Sequence, residues 1–271
     1  MKYITYDCHL HSDFSGDCEI PASGMIARAL SLGLDGICFT EHLDLDAPVT
    51  DGCDFSLDTD SYFKKMRQLQ ETYDGRIAIR IGVELGLQEH VLDVLTDYAA
   101  SWPFDFIIAS QHYINGSDPY YPSYFEGREE RQCYEEFFEV QLANLKRFSS
   151  YQTLGHMDYV VRYGPNRNSQ YSFEAYSDYI DPILKHLIEN GKCLEVNTGG
   201  FKYGLGQPNP DTSVLKRYRE LGGELVTIGS DAHTPEYLAF DFPRAADLLR
   251  QLGFRYYAVF RNRTAELMPL V

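Results

Sequence analysis

Ile4-Thr5-Tyr6-Asp7-Cys8-His9-Leu10-His11 is a short apolar run that ends on two histidines spaced two apart. On a strand, positions two apart share one face, so both imidazoles can reach a single cation. The same punctuation recurs along the chain. Gly36-Ile37-Cys38-Phe39 runs into Thr40-Glu41-His42, and Ile79-Arg80-Ile81-Gly82-Val83 runs into Glu84. Phe106-Ile107-Ile108-Ala109 runs into Ser110-Gln111-His112, and Thr153-Leu154-Gly155 into His156-Met157-Asp158. Leu225-Val226-Thr227-Ile228-Gly229 runs into Ser230-Asp231-Ala232-His233. Six of the eight histidines stand at such ends. Ligands delivered strand by strand to a common end are the sequence mark of a barrel-type metalloenzyme. Histidines kept only for packing would scatter. His90 and His186 do so, falling in helical patterns, and are read as structural.

Working outward, strands are expected at Ile4–His9, Gly36–Thr40, Ile77–Glu84, Phe104–Gln111, Thr153–Gly155, Lys192–Asn197 and Glu224–Ser230. Tyr256–Phe260 is an eighth strand or an edge piece. Apolar residues at helical spacing fill the intervals around Met25–Leu30, Val91–Tyr98, Phe137–Phe148, Ile183–Ile188, Leu215–Leu221 and 245–252. Gly33, Gly191, Gly222 and Gly253 supply helix stops. Alternating strands and helices imply parallel βαβ units. Seven or eight such units in 271 residues favour one barrel domain over an open sheet. Asp44–Asp60, Tyr113–Gly127 and Gly199–Pro210 break the alternation. All three follow strand ends, so they are read as loops on the ligand face, where substrate choice is made.

A formal net charge of −16 sets the body of the protein against nucleic acid and anionic lipid. No apolar run approaches the ~18 residues of a membrane span, and no basic-then-apolar leader is visible near the first residues. The six cysteines form no C-x-x-C pair, and Cys8, Cys38 and Cys193 sit in strand-like runs. Free buried thiols and a reducing cytoplasm are therefore expected. Nothing in the sequence specifies an oligomeric state.

Glu84 closes an apolar run, which is costly unless positive partners await the carboxylate. Asp231-x-His233 mirrors His9-x-His11 from the far end of the chain. Together these form a metal cluster. A barrel mouth of ordinary satisfied polar groups would not explain so many histidines.

The whole constellation resembles the PHP family, the polymerase and histidinol phosphatase superfamily. The resemblance rests on Asp7-x-His9-x-His11, Thr40-Glu41-His42, Gly82-Val83-Glu84, His112, Gly155-His156-x-Asp158 and Gly229-Ser230-Asp231-Ala232-His233. It spans almost all of residues 1–271. Glu41-His42-Leu43-Asp44, Phe104-Asp105-Phe106, the stretch from Gly155 to Gly164 and Tyr203-Gly204-Leu205-Gly206 resemble its histidinol-phosphate phosphatase branch.

That resemblance implies a single-domain, distorted TIM-like (β/α)7 barrel holding three divalent ions: Zn, Fe or Mn. It implies a first ion on His9, His11, Glu84 and Asp231, and a second sharing Glu84 and taking His112 and His156. A third ion is implied on Asp17, His42 and His233. Several relatives carry histidine where this chain has Asp17, which shifts that site toward oxygen donors. Asp7 and Asp158 are expected to orient imidazoles from behind. Arg162, six residues past His156, is implied as a phosphate clamp, since a guanidinium offers parallel donors to phosphate oxygens. Asn197 and His42 are expected beside it at the substrate.

The implied reaction is hydrolysis of a small-molecule phosphate ester, with L-histidinol phosphate favoured. Three divalent ions outweigh Glu84, Asp17, Asp231 and a bridging hydroxide, which leaves a positive excess for a phosphomonoester. A hydroxide held between two ions attacks phosphorus, with Arg162 stabilising the phosphoryl oxygens and Asp17 and His233 near the leaving group. A substrate lining is expected from Asp44, Asp46, Tyr113, Asn115, Tyr120, Tyr121, Tyr203 and Asn209. Other PHP phosphoesterases acting on nucleotides, an amidohydrolase-type barrel and a non-catalytic PHP scaffold are the alternatives.

Overall fold

The computed structural model describes residues 4–48 and 52–270. The ends of the 1–271 span and residues 49–51 of the Asp44–Asp60 loop lie outside the described residues. Seven strands run parallel in the order of the chain: β1 Tyr6–Leu10, β2 Gly36–Leu43, β3 Ala78–Gly86, β4 Phe106–Ser110, β5 Thr153–Leu154, β6 Cys193–Asn197 and β7 Val226–Gly229. All eight residues of β2 are buried, because a parallel strand walled by helices has two dry faces. This is why these segments read as continuous apolar runs and not as alternations.

The ring closes just beyond the ends of β1 and β7. Leu10 bridges Ala232, the His11 amide donates to the Ala232 carbonyl at 3.0 Å, and the Asp231 amide donates to His9 at 2.8 Å. First and last strands thereby bring residues more than two hundred positions apart into contact. Register does the rest, pairing His42 on β2 with Glu84 on β3.

Helices cover the outside: α1 Ala22–Leu32, α2 Thr59–Thr72, α3 Leu92–Ser101, α4 Glu130–Arg147, α5 Ser177–Glu189, α6 Gly199–Lys202, α7 Thr212–Glu220 and α8 Phe242–Gln251. The expected stop at Gly33 is a left-handed cap with φ 64°, whose amide reaches the Ala29 and Leu30 carbonyls. Helix α2 was not expected, and its first two residues fall in the Asp44–Asp60 segment read as loop. Asp58 caps it through the Ser61 amide, and Tyr62, Phe63, Met66 and Leu69 are buried along one stripe. Charged and amide residues between them mask that stripe in the sequence. The Gly199–Pro210 segment likewise contains the short α6.

Tyr256–Phe260 is not an eighth barrel strand. It belongs to β8 Tyr256–Arg261, which pairs antiparallel with β9 Thr264–Pro269 as a separate hairpin. The hairpin turn docks on the lower end of the barrel, where the Asn262 amide donates to Asp105 Oδ1 at 2.8 Å. Cys8, Cys18, Cys38, Cys133 and Cys193 are free and buried.

Candidate metal centre

The upper end of the barrel is built from strand termini. Glu84 lies near the end of β3, 0 % exposed, and five imidazoles converge on its two oxygens. Oε1 lies 2.8 Å from His156 Nε2 and 3.3 Å from His112 Nε2. Oε2 lies 3.1 Å from His9 Nε2, 3.0 Å from His42 Nδ1 and 3.6 Å from His11 Nε2. Ser110 donates to Oε1 at 2.6 Å. Asp231 stands 3.6 Å from His11 and 3.8 Å from His9, in a left-handed conformation with φ 55°. Strain of that kind in a non-glycine residue concentrates where a side chain must be re-aimed. Asp17, from the loop after β1, sits 3.0 Å from His233 Nε2 and 3.6 Å from His42 Nε2.

All nine expected ligands therefore meet in one cluster. Four donor triads each have their atoms within 4.8 Å of one another: His9–His11–Glu84, His9–His156–Asp231, His42–Glu84–His112 and His11–His42–His233. His9, His11, His42 and Glu84 each serve two triads, so the donors interleave and do not form three isolated sets. His90 is 60 % exposed beside Asp46, and His186 lies on α5; both stay outside, as expected.

The residues fit divalent cations. His11 Nε2, His42 Nδ1 and His233 Nε2 are buried without a hydrogen-bond partner. Native interiors rarely leave such atoms unsatisfied. Burial would push Glu84 up, but His9, His42 and His112 hold it well below the usual carboxylate range. Burial would push His42 down, yet Asp17 and Glu84 lift it to about 9. Burial, with His233 and His42 close by, drives His11 well down. The carboxylates thus demand positive charge while some imidazoles refuse protons. Cations resolve that conflict, since metal binding displaces protons from ligands.

Two expected roles are corrected. Asp7 and Asp158 touch no imidazole. Asp7 accepts from the Ser230 amide and hydroxyl and from the Ala239 amide, tying β1 to the loop after β7. The β1–β2 register shifts between Asp7 and Leu10, so spacing from His9 does not set the direction of Asp7. Asp158 accepts from Asn209 and the Asp211 amide. The carboxylates that orient imidazoles are Glu195, 2.6 Å from His9 Nδ1, and Asp44, 2.9 Å from His112 Nδ1. Glu195 had a signal: a charge inside the buried run Cys193–Asn197. Asp44 was read only as loop lining. Gly229 makes the first arrangement possible, because a Cβ there would strike both His9 and Glu195.

A cavity of about 320 Å³ opens beside the cluster. Its wall includes Asp17, His42, Arg162 and His233, four tyrosines of the expected lining (Tyr113, Tyr120, Tyr121, Tyr203), and also Tyr159, Tyr163, Asp118 and Lys202. Arg162 is buried, stacked over Tyr203 at 4.9 Å, and donates to Asn209, Asp231 and Asn197. Asn197 and Asn209 lie behind Arg162 and not on the cavity wall. Asp46 and Asn115 face away; Asn115 bonds Glu136. Asp118 and Lys202 were not singled out, and no local pattern marks them. Asp118 accepts from the Tyr120 amide and Tyr159 hydroxyl, and burial lifts it to about 6.

Comparison with known proteins gives three findings. A profile of the PHP domain matches residues 7–199. The histidinol-phosphatase of Lactococcus lactis is 34% identical over 96% of this chain and 95% of its own length, and a probable histidinol-phosphatase of Clostridium acetobutylicum is 31% identical over 93% and 95%. The crystal structure of the Lactococcus lactis histidinol phosphate phosphatase, complexed with Zn, L-histidinol and phosphate, superposes with a TM-score of 0.88. That comparison covers 97% of this chain and 98% of the other at 31% identity.

Proposed function

Since this chain belongs to the PHP domain family, we propose that the barrel mouth is a phosphoric monoester hydrolase site that cleaves L-histidinol phosphate to L-histidinol and phosphate. The chain is an enzyme of that kind, with a small-molecule substrate and divalent metal. The observation that carries the reading is the set of buried, unpartnered imidazole nitrogens around Glu84, opening directly on a cavity walled by Arg162.

The finer reading is a three-ion centre in histidine biosynthesis. His9, His11, Glu84 and Asp231 would hold one ion; Glu84, His112 and His156 a second; Asp17, His42 and His233 a third. Nitrogen-rich donors suit Zn, and the oxygen of Asp17 also suits Fe or Mn. Bound divalent ions supply Lewis acidity, lowering the pKa of coordinated water and neutralising phosphoryl charge. The protein's own groups do the positioning. Three of the five N–H donors of Arg162 are fixed by Asn209, Asp231 and Asn197, which leaves two to face phosphoryl oxygens. Lys202 adds a second cation on the wall. Asp17 and His233 line the same wall, where they would hold the third ion against the charge of the leaving alkoxide. The tyrosines can stack on an imidazole ring, and Asp118 is the wall carboxylate left for its amine. Free buried thiols support a cytoplasmic setting. The net charge of −16 argues against a nucleic-acid partner, and no helix among the described residues is long and apolar enough to cross a membrane.

Phosphate release tests the reading. L-histidinol phosphate should exceed AMP and p-nitrophenyl phosphate by at least about a hundredfold in kcat/KM, roughly 2.7 kcal/mol of differential transition-state binding. Comparable rates on all three would leave only a broad phosphoesterase.

A further inference from the structure

Ring stacking fixes the plane of the His11 imidazole but not which edge faces the metal centre. The His42 and His233 rings each stack against it with centroids 4.2 Å away and interplanar angles of 18° and 21°. A half-turn of the ring would keep both stacks and exchange nitrogen for carbon at every contact. Something else must choose.

Ser15, buried in the loop after β1, is placed to do so. Its hydroxyl oxygen lies 2.7 Å from Glu41 Oε2, 3.1 Å from His11 Nδ1 and 3.1 Å from the His42 amide nitrogen. Glu41 is 0 % exposed and pairs with no cation among the described residues. Its Oε2 already accepts the Ser12 amide at 2.9 Å, and Oε1 accepts the Ser12 hydroxyl at 2.6 Å. A backbone amide can only donate, so Glu41 Oε2 is an acceptor and takes the single hydroxyl hydrogen of Ser15. The Ser15 oxygen then has only lone pairs left. One accepts the His42 amide, which again can only donate. The other faces His11 Nδ1, and two lone pairs do not bond. His11 Nδ1 must therefore carry the ring hydrogen.

We propose that Glu41 and Ser15 are positioning residues that lock His11 as the Nδ1–H tautomer and commit its bare Nε2 to a cation. Nε2 is buried without a hydrogen-bond partner, 3.6 Å from both Glu84 Oε2 and Asp231 Oδ1. The Thr40-Glu41-His42 strand end thus serves the centre twice, through His42 as a donor and through Glu41 as the anchor of another strand's donor. The inference rests on the metal-ligand part of the proposed function and not on the identity of the substrate.

The test uses the metal-loaded protein and Zn as the probe. Competition against a chelator should show the Zn affinity of Ser15→Ala reduced about 10- to 100-fold at one site per chain, the range seen when a ligand's supporting partner is lost. Glu41→Gln should stay within about threefold of wild type. Its amide oxygen can take the Ser12 amide and Ser15 hydroxyl while its NH2 donates to the Ser12 oxygen. Glu41→Leu frees the Ser15 hydrogen to point at His11 and should lose Zn as Ser15→Ala does; if it fails to fold, Ser15→Ala still decides. Nitrogen-15 shifts of the wild-type His11 ring should report a protonated Nδ1 and a metal-bound Nε2. An unchanged Zn affinity in Ser15→Ala, or a protonated Nε2 in the wild type, overturns the proposal. Neither result bears on whether L-histidinol phosphate is hydrolysed, which the phosphate-release assay decides separately.

Discussion

Asp105, just before β4, and Glu84, on β3, are buried carboxylates at opposite ends of one barrel, and they live differently. Asp105 accepts from the Ile81 amide at 3.0 Å and the Asn262 amide at 2.8 Å. Those donors have no other state, so the carboxylate is satisfied and the hairpin turn is pinned. Glu84 has one fixed donor, Ser110, and five imidazoles. An imidazole nitrogen donates or accepts according to its proton, and several here have no partner. Both are buried carboxylates. What separates a structural carboxylate from one proposed to bridge metals is whether its partners are committed donors or spare lone pairs.

Exchanging oxygen for nitrogen at each end tests that distinction most strongly. Glu84→Gln should lose bound metal and drop kcat/KM by at least about 10³-fold, since one carboxylate serves several donors' ions. Asp105→Asn should keep its metal and its activity within about twofold, and lose about 1–3 kcal/mol of stability as one amide loses its acceptor. Elemental analysis, phosphate release and denaturant unfolding on both variants decide it. Full metal in Glu84→Gln would sink the bridging role; metal loss in Asp105→Asn would erase the contrast.

Asp17 sharpens the comparison within the upper end. It is more exposed than Glu84 and, among the described residues, has His42 and His233 as its ion-pair contacts. Asp17→Asn should lose about one ion per chain and roughly a hundredfold in rate, the scale of a lost charge-stabilising group at the transition state. Three ions retained by elemental analysis would take Asp17 out of the ligand set. Arg162 comes next. Arg162→Met removes the donors and keeps much of the volume, so a fall of roughly 10- to 100-fold in kcat/KM is expected. Less than about twofold would leave the phosphate to Lys202 and the metal.

The barrel and its ligands were legible because both depend on strand periodicity and on where apolar runs stop. Hydrophobic runs located the seven strands, and their ends located eight of the nine donors, even across the 222-residue gap that β1 and β7 close from His9 to Asp231; the ninth, Asp17, came from the family resemblance alone. What failed was direction. Asp7 stands two residues from His9 but turns to Ser230, while the group that holds His9 comes from β6, 186 positions away. Sequence adjacency reports which residues share a strand end. Which hydrogen bond each makes depends on the register and closure of strands distant in the chain. The substrate residues divided: Asp44 lines the cavity as expected while also holding His112, whereas Asn197, expected at the substrate, stands behind Arg162.

Asp118 marks the point where the upper end stops being a metal site and becomes a substrate site, and it should give the smallest effect. Its neighbours are committed donors, the Tyr120 amide and the Tyr159 hydroxyl, as at Asp105. Unlike Asp105 it lines the cavity, where burial and the Asp44 charge raise it to about 6, against the pull of His112 and its own hydrogen bonds. A carboxylate with a raised value adds stability that is complete below the ordinary carboxylate range and lost as pH climbs through about 6. Above that the ionised group is a cost to the free protein, repaid only when a cationic amine sits against it. Nearby bound cations would lower the value, so kcat/KM for L-histidinol phosphate should show an acid limb at or below pH 6. Asp118→Asn keeps an acceptor for both donors, so its thermal stability at pH 8 should equal or exceed wild type. Its kcat/KM should fall about tenfold, mostly through KM, and its acid limb should disappear, since a hydrogen bond to a charged group is worth from about 1.5 kcal/mol. An unchanged limb in Asp118→Asn would assign that titration to the metal cluster and leave the amine without this partner.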